Sequence, residues 1–262
     1  MKDVRHIAVQ KFVDGHASLH EEAVAVETLI HLRYNGTKLV SLLGSPEHAD
    51  ELGVGHLLTE YNVPRAAISD VSFTDIEGTV FVEVTGEDIE LRSPRTDIVS
   101  TSCGACDQDD LHELTQRLSS VSPPEHLLAI EDITGALKRL REHQQGFQAT
   151  GGMHAAALVN LTENEYVVRE DIGRHNAVDK AYGAWCSSRN HRPVALLLSG
   201  RCGWDIVAKA ASMNTPVVAS FGAASSLAID TARASGITLV SFVKDDKSIV
   251  IGPVEGRFHR KH

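Results

Sequence analysis

The spacing of apolar and polar residues changes character along this chain. Up to about residue 99 it is strand-like. Residues 23–32 alternate in part and lead into Asn35-Gly36, a pair that accepts the positive φ angles of a tight hairpin. Residues 38–43 are therefore predicted as the return strand. Residues 79–85 and 88–91 read as a second pair turning at Gly86, and between the pairs Leu52, Val54, Leu57 and Leu58 give residues 46–60 a helical face. From Ser100 to Gly146 the spacing is helical. Leu111, Leu114 and Leu118 form one stripe, Ser122-Pro123-Pro124 breaks it, and Ile133, Leu137 and Leu140 face a helix over 131–144.

Beyond Phe147 strands and helices alternate. Strands are predicted at 155–159, 166–169, 194–198, 217–220 and 238–243, with helices at 176–187, 205–213 and 225–234. The run 194–198 is wholly apolar, as a strand buried on both faces should be. This order predicts an α/β (α+β) fold: a layered α/β domain with a largely parallel sheet, preceded by a strand-rich portion. The expected divisions are 1–100 for the strand-rich subdomain, 101–146 for a cysteine-pair loop and helical connector, and 147–262 for the α/β domain.

A length of 262 residues and a formal charge of -10 narrow the classes of function. An acidic chain is a poor general binder of nucleic acid, which needs clustered cations, although a local basic pocket can still sit within it. No stretch approaches the roughly 18 apolar residues of a membrane span, and no apolar run follows the amino end as in a secretory signal. A cytoplasmic protein is expected. Its four cysteines are then no disulfide framework, and a close pair among them points to catalysis or metal binding.

That pair is Cys103-Gly104-Ala105-Cys106, just ahead of the predicted helix. A helix amino end stabilises thiolates, and a thiolate accepts sulfur at neutral pH. The second thiol could reduce or resolve a persulfide on the first. A structural zinc half-site, a redox dithiol and two inert thiols remain open on spacing alone. A hydrolytic zinc centre fits poorly: His154 is followed by Ala155 and Ala156 with no Glu, no Pro precedes Cys103, and the motif order is reversed. Cys186 beside Trp185 reads as packing, and Cys202 as a loop residue open to exposure.

Four clusters fall at strand ends. Gly151 and Gly152, ahead of His154, offer close backbone approach and free N–H groups, or simply a turn. His154 reads equally as a core histidine. Residues 169–176, Arg-Glu-Asp-Ile-Gly-Arg-His-Asn, place Arg174 to clamp a phosphate and His175 to donate a hydrogen bond or shuttle a proton. The plain alternative is a solvated loop with Asn176 as helix cap. Ser199-Gly200-Arg201-Cys202-Gly203 and Phe221-Gly222-Ala223-Ala224-Ser225-Ser226 repeat the strand–glycine loop–helix arrangement, and with residues 169–176 these loops predict a pocket for a phosphate-rich ligand.

These segments together resemble the FdhD family of formate dehydrogenase accessory sulfurtransferases. The resemblance is carried by Thr101-Ser102-Cys103-Gly104-Ala105-Cys106, by Thr150 to Ala157, by Arg169 to Lys180 throughout, by Ser199 to Arg201, by Ser226 to Ala228 and by Gly236 to Phe242. It spans about residues 20 to 250. It implies a cytidine-deaminase-like fold, a homodimer, and no resident metal. It implies an enzyme that accepts persulfide sulfur from a cysteine desulfurase and passes it to a molybdenum bis-pterin guanine dinucleotide cofactor for formate dehydrogenase. Cys103 would bear the persulfide with Cys106 its helper, and Phe242, Val243, Lys244, Asp245, Asp246 and Lys247 would match a cofactor-binding stretch, joined by Arg174, His175, Arg201, Gly151, Gly152 and His154.

The chain departs from the family pattern in places. Lys244-Asp245 stands where Arg-Gly is usual, keeping a cation without the bidentate fork and adding an acid. Residues 222–226 and Glu21-Glu22-Ala23-Val24 also differ from the family's usual runs. A different class of function is a non-catalytic chaperone that binds the molybdenum cofactor and never holds sulfur. Such a protein would still work with both cysteines changed to Ser.

Overall fold

The computed structural model describes residues 3–91, 118–244 and 247–259. Its first element is a ribbon in which β1 (Val4–Val13) pairs antiparallel with β2 (His16–Ala25). Asp14 and Gly15 make the turn at φ 51° and 80°. Asp-Gly is as strong a hairpin signal as Asn-Gly, because both of its residues accept positive φ. The single strand expected over 23–32 is therefore two. β2 ends at Ala25, the Val26 N–H turns back to the Asp3 carbonyl at 2.8 Å, and β3 starts afresh at Thr28.

β3 (Thr28–Tyr34) and β4 (Thr37–Gly44) form the hairpin expected at Asn35-Gly36. The second expected pair forms elsewhere: β6 (Thr79–Gly86) pairs with β5 (Ile68–Ile76) around Glu77-Gly78, and residues 88–91 carry no strand. The turn is at Glu77-Gly78 because those two residues take the left-handed φ angles, 50° and 82°. Gly86 instead fits a close approach, since a Cβ there would lie 2.0 Å from the Ala67 carbonyl oxygen. The sheet order is β4-β3-β6-β5, with β3 and β6 parallel.

α1 (Ala49–Glu60) crosses this sheet, starting three residues later than the pattern predicts. Leu52, Val54, Leu57 and Leu58 are buried as expected, but so is most of the rest of the helix. The cause is a second layer, because α1 lies between the four-stranded sheet and α4 (Arg174–Ser188). The two helices meet backbone to backbone. A Cβ on Gly55 would stand 1.8 Å from the Asp179 carbonyl oxygen, and one on Gly183 2.0 Å from that of Glu51.

The larger sheet has the order β12-β11-β10-β9-β7-β8. Its strands are β7 (His154–Asn160), β8 (Glu165–Asp171), β9 (Ala195–Leu198), β10 (Val217–Ser220), β11 (Thr238–Lys244) and β12 (Lys247–Ile251). β9, β10 and β11 are parallel, whereas β7, β8 and β12 join antiparallel. The expectation of a largely parallel sheet therefore holds only for its centre. The short links 161–164 and 245–246 leave no room for a crossover helix and force hairpins at both margins.

Alternation along each strand sends side chains to opposite faces. Ala156, Leu158, Leu196 and Leu198 pack under α4, α5 (Trp204–Ser212) and α6 (Ser226–Ser235), while Ala155, Ala157, Val159 and Leu197 face α2 (Ile130–Leu140). The helix expected over 131–144 ends at Leu140. A 3₁₀ turn over Arg141–His143 bends the chain into the short α3 (Gln145–Thr150). The helix read from Leu111 and Leu114 lies outside the described residues, while Leu118 packs against the larger core. Among the described residues no helix is long and apolar enough to cross a membrane.

Candidate functional site

The polar clusters singled out in the sequence converge on one edge of the six-stranded sheet. The start of β7 and the end of β8 lie together, with His154 paired to Asp171. β7 runs antiparallel to β9, so this is also the carboxyl edge of β9, β10 and β11. The loops are stitched together there: the Gly222 N–H donates to the Gly200 carbonyl at 3.1 Å, and the Phe242 N–H to the Gly222 carbonyl at 3.2 Å. The approach requires glycine, since a Cβ at position 222 would lie 2.9 Å from both Arg201 Cγ and the Gly200 oxygen. Gly200 in turn backs onto the His154 ring.

Residues 169–180 divide into scaffold and mouth. Arg169 is forked onto Glu51 of α1, with Nη2 at 2.6 Å from Oε1. Glu170 accepts the N–H groups of Gly146 and Phe147 at the start of α3, and burial raises its carboxyl above the usual range against those two bonds. Asp171 is fully buried. It meets Lys180 Nζ at 2.7 Å and accepts from Ser45 N, Gly173 N and Asn176 Nδ2. Asn176 is therefore no helix cap. Gly173 takes that place, and the Asn176 amide bridges Asp171 and the Leu43 carbonyl. Asp179 is held by Lys209, His56 and Thr59. Burial alone would raise its carboxyl, but Lys209 and His56 outweigh that and hold it at about 2.

Arg174 and His175 remain for the mouth, where they form the first turn of α4 rather than a preceding loop. Asp205, from the first turn of α5, lies against His175 Nε2 and 3.5 Å from Arg174 Nη2. No motif in the sequence marks Asp205, because only the fold brings these helix starts together. Burial lowers the His175 imidazole, with Lys209 and Arg174 adding to the shift and Asp205 opposing it. His154 is exposed rather than a core residue, and partial burial together with Arg174 and Arg201 holds it below its ordinary range. Two lowered imidazoles favour hydrogen bonding over charge at neutral pH. Cations are supplied by Arg174 and by the exposed Arg201 and Lys244. Three helices open on this edge. The amino end of α6 is capped by Ser225 Oγ at 3.2 Å from Ala228 N, whereas α4 and α5 start at Gly173 and Gly203 with no side-chain cap. Uncapped helix amino ends suit anions.

The free N–H groups expected of the glycine pair are absent. The Gly151 N–H closes α3 onto the Phe147 carbonyl at 2.7 Å, and the Gly152 N–H donates to Thr150 Oγ1. This turn is structural, with Gly152 packing at the base of the ribbon beside Ala25. In the stretch ending β11, Phe242 is 51% exposed and adopts a left-handed φ of 53° at a register shift between Ser241 and Lys244. A bulky residue in that conformation is a backbone outlier, and such strain gathers at functional sites. Val243 is buried, Lys244 and Lys247 are exposed, and Asp245 and Asp246 lie outside the described residues. So do Cys103 and Cys106. The two described cysteines are protected. Cys186 is part-buried against the smaller core, and burial raises its thiol. Cys202, expected to be open to solvent, is 1% exposed with its thiol pushed up to about 12, because it lies beneath the Ala223–Ser225 loop.

The chain is similar to known proteins over most of its length. The FdhD/NarQ family model matches residues 25–254. The sulfur carrier protein FdhD of Mycobacterium tuberculosis is 35% identical over 93% of this chain and 92% of its own length. That of Nocardia farcinica is 37% identical over 86% of this chain and 85% of its own. A crystal structure from Desulfotalea psychrophila, assigned as a formate dehydrogenase accessory protein, superposes with a TM-score of 0.78 over 97% of this chain and 99% of its own, at 22% identity. The fold is thus a layered α/β one that is shared over 97% of this chain. The chain belongs to the FdhD/NarQ family.

Proposed function

We propose that this chain is a sulfur carrier that takes persulfide sulfur from a cysteine desulfurase onto Cys103. It then passes the sulfur to a molybdenum bis-pterin guanine dinucleotide cofactor destined for formate dehydrogenase. The relatives named sulfur carrier protein support the general role. The observation that carries the assignment to Cys103 and Cys106 is the state of the other thiols. Cys202 is buried and Cys186 part-buried, and burial raises both thiols, so neither readily supplies a thiolate at neutral pH.

In the loading step the Cys103 thiolate attacks the outer sulfur of the donor persulfide. The donor's S–S bond breaks, its own thiolate leaves with the electron pair, and Cys103 holds the persulfide. In the unloading step the Cys106 thiolate attacks Cys103 Sγ, and the outer sulfur leaves as sulfide to enter the metal's ligand sphere without changing the metal's oxidation state. The two electrons come from Cys106, which ends in a disulfide with Cys103, and a thiol reductant resets the pair. The acceptor is the substrate of this step. Its phosphates fit Arg174, Arg201, Lys244 and the uncapped starts of α4 and α5, while His154 and His175 offer neutral hydrogen bonds. The family resemblance further supports a cytoplasmic homodimer.

Intact-protein mass spectrometry after incubation with a cysteine desulfurase and cysteine tests the reading. A gain of about 32 Da, one sulfur atom, should appear, vanish on reduction, and be absent from Cys103→Ala. No gain with a competent desulfurase would overturn it.

A further inference from the structure

We propose that Arg141, seated on Phe221, is a stacking platform for the base of a guanine nucleotide at the rim of the site. This inference rests on the acceptor reading above and adds to it the residue that recognises the base. Arg141 lies in the 3₁₀ turn after α2, on the face of the sheet opposite α4. Its Cζ stands 4.1 Å from the centroid of the Phe221 ring. Phe221 is packed from below by the core that includes Val243, and its N–H is bonded to the Leu198 carbonyl at 3.3 Å. The Arg141 main chain is tethered too, because its carbonyl accepts from Gln144 N at 3.5 Å and Gln148 Nε2 at 2.9 Å. The guanidinium has no hydrogen bond or ion pair to any described residue, although the side chain is exposed.

A surface cation resting on a ring is common, and the position of this one is what argues for a ligand. The residue after Phe221 is Gly222, whose N–H meets Gly200 beside Arg201 and whose carbonyl holds the strained Phe242. The platform is therefore one residue from the loops that offer cations and open helix ends to phosphate. A flat guanidinium backed by an aromatic ring gives a base a face to stack on while keeping N–H edges for hydrogen bonds, and lysine offers neither plane nor fork. The juxtaposition thus suits a ligand with phosphate at one end and an aromatic base at the other.

The test uses the full-length protein, with GDP and inorganic pyrophosphate as probes in binding calorimetry. Arg141→Ala should weaken GDP about tenfold, the scale of one lost base-stacking contact, and leave pyrophosphate binding unchanged. Arg141→Lys should stay weak, because it restores charge without the plane, and Phe221→Leu should act in the same direction. Equal losses for GDP and pyrophosphate would make Arg141 a phosphate contact and overturn the proposal, as would unchanged GDP binding in Arg141→Ala. If the wild-type protein bound no GDP, the acceptor reading would fail with it, while the sulfur gain on Cys103 would stand or fall separately by mass.

Discussion

Charged groups in residues 169–180 meet opposite fates within one helix length. At the junction with α1 and α5, Lys180 faces Asp171 with both side chains 0% exposed, and Lys209 is shared by Asp179 and Glu60 at 2.5–2.9 Å. At the mouth, Arg174 makes a loose contact with Asp205, and Arg201 is exposed. A buried charge is tolerable only when matched and hydrogen-bonded, so the inner set is committed to holding the layers together. Cations with few protein partners have charge left for a ligand. A dense polar motif is therefore not a uniform binding site, and the fold decides which of its members are at the mouth.

The sharpest way to break this contrast is Lys180→Met. It leaves Asp171 buried with no counter-charge and should cost about 3–5 kcal/mol in urea unfolding. Replacing both partners of a buried pair is often neutral, but here Asp171→Leu with Lys180→Met should recover little. Asp171 also accepts three N–H groups, from Ser45, Gly173 and Asn176, and leucine would orphan all of them. Full recovery in the double variant would mean that the ion pair alone matters and that the loop ahead of α4 does not depend on the carboxylate.

A smaller effect follows from Asp179. Its folded carboxyl titrates at about 2 against 3.8 for the ordinary group. A depressed carboxyl contributes stability that is complete above the unfolded value and is lost as the pH falls through the folded one. Thermal stability should therefore fall as the pH drops from 3.8 to about 2. Asp179→Asn should be less stable near neutrality yet flatter across that window. An unchanged acid limb in Asp179→Asn would mean that other carboxylates govern it.

The sequence makes the elements more legible than their partners. Strong local signals match the structure: Asn35-Gly36 turns where expected, and the apolar 194–198 run supplies a buried β9. The second hairpin turns away from Gly86 because that glycine fits a close contact with Ala67, while Glu77-Gly78 carries the positive φ angles. Asp14-Gly15 offered the same signal for the ribbon. The expected site loops do share one edge, since each motif follows or precedes a strand of one sheet. Long-range pairings were hidden: nothing local places Asp205 against His175, Arg141 on Phe221, or Glu51 under Arg169. Helix spacing likewise could not reveal that α1 is covered on two sides, because that burial comes from a helix more than a hundred residues later.

The smallest expected effect on stability lies at the mouth and sharpens the contrast most. Arg201 is exposed, its guanidinium has no ion pair among the described residues, and only its Cγ stem crowds Gly222. Arg201→Ala should therefore shift unfolding by no more than about 0.5 kcal/mol. The same change should weaken pyrophosphate binding roughly tenfold, the scale of one charge-assisted hydrogen bond. Arg174→Ala should affect binding similarly but unfolding somewhat more, because it also strips Asp205 of a partner. If Arg201→Ala instead unfolded the protein as readily as Lys180→Met, the mouth would be scaffold as well. If it changed neither quantity, the phosphate-binding role would pass to Arg174, Lys244 and the helix ends.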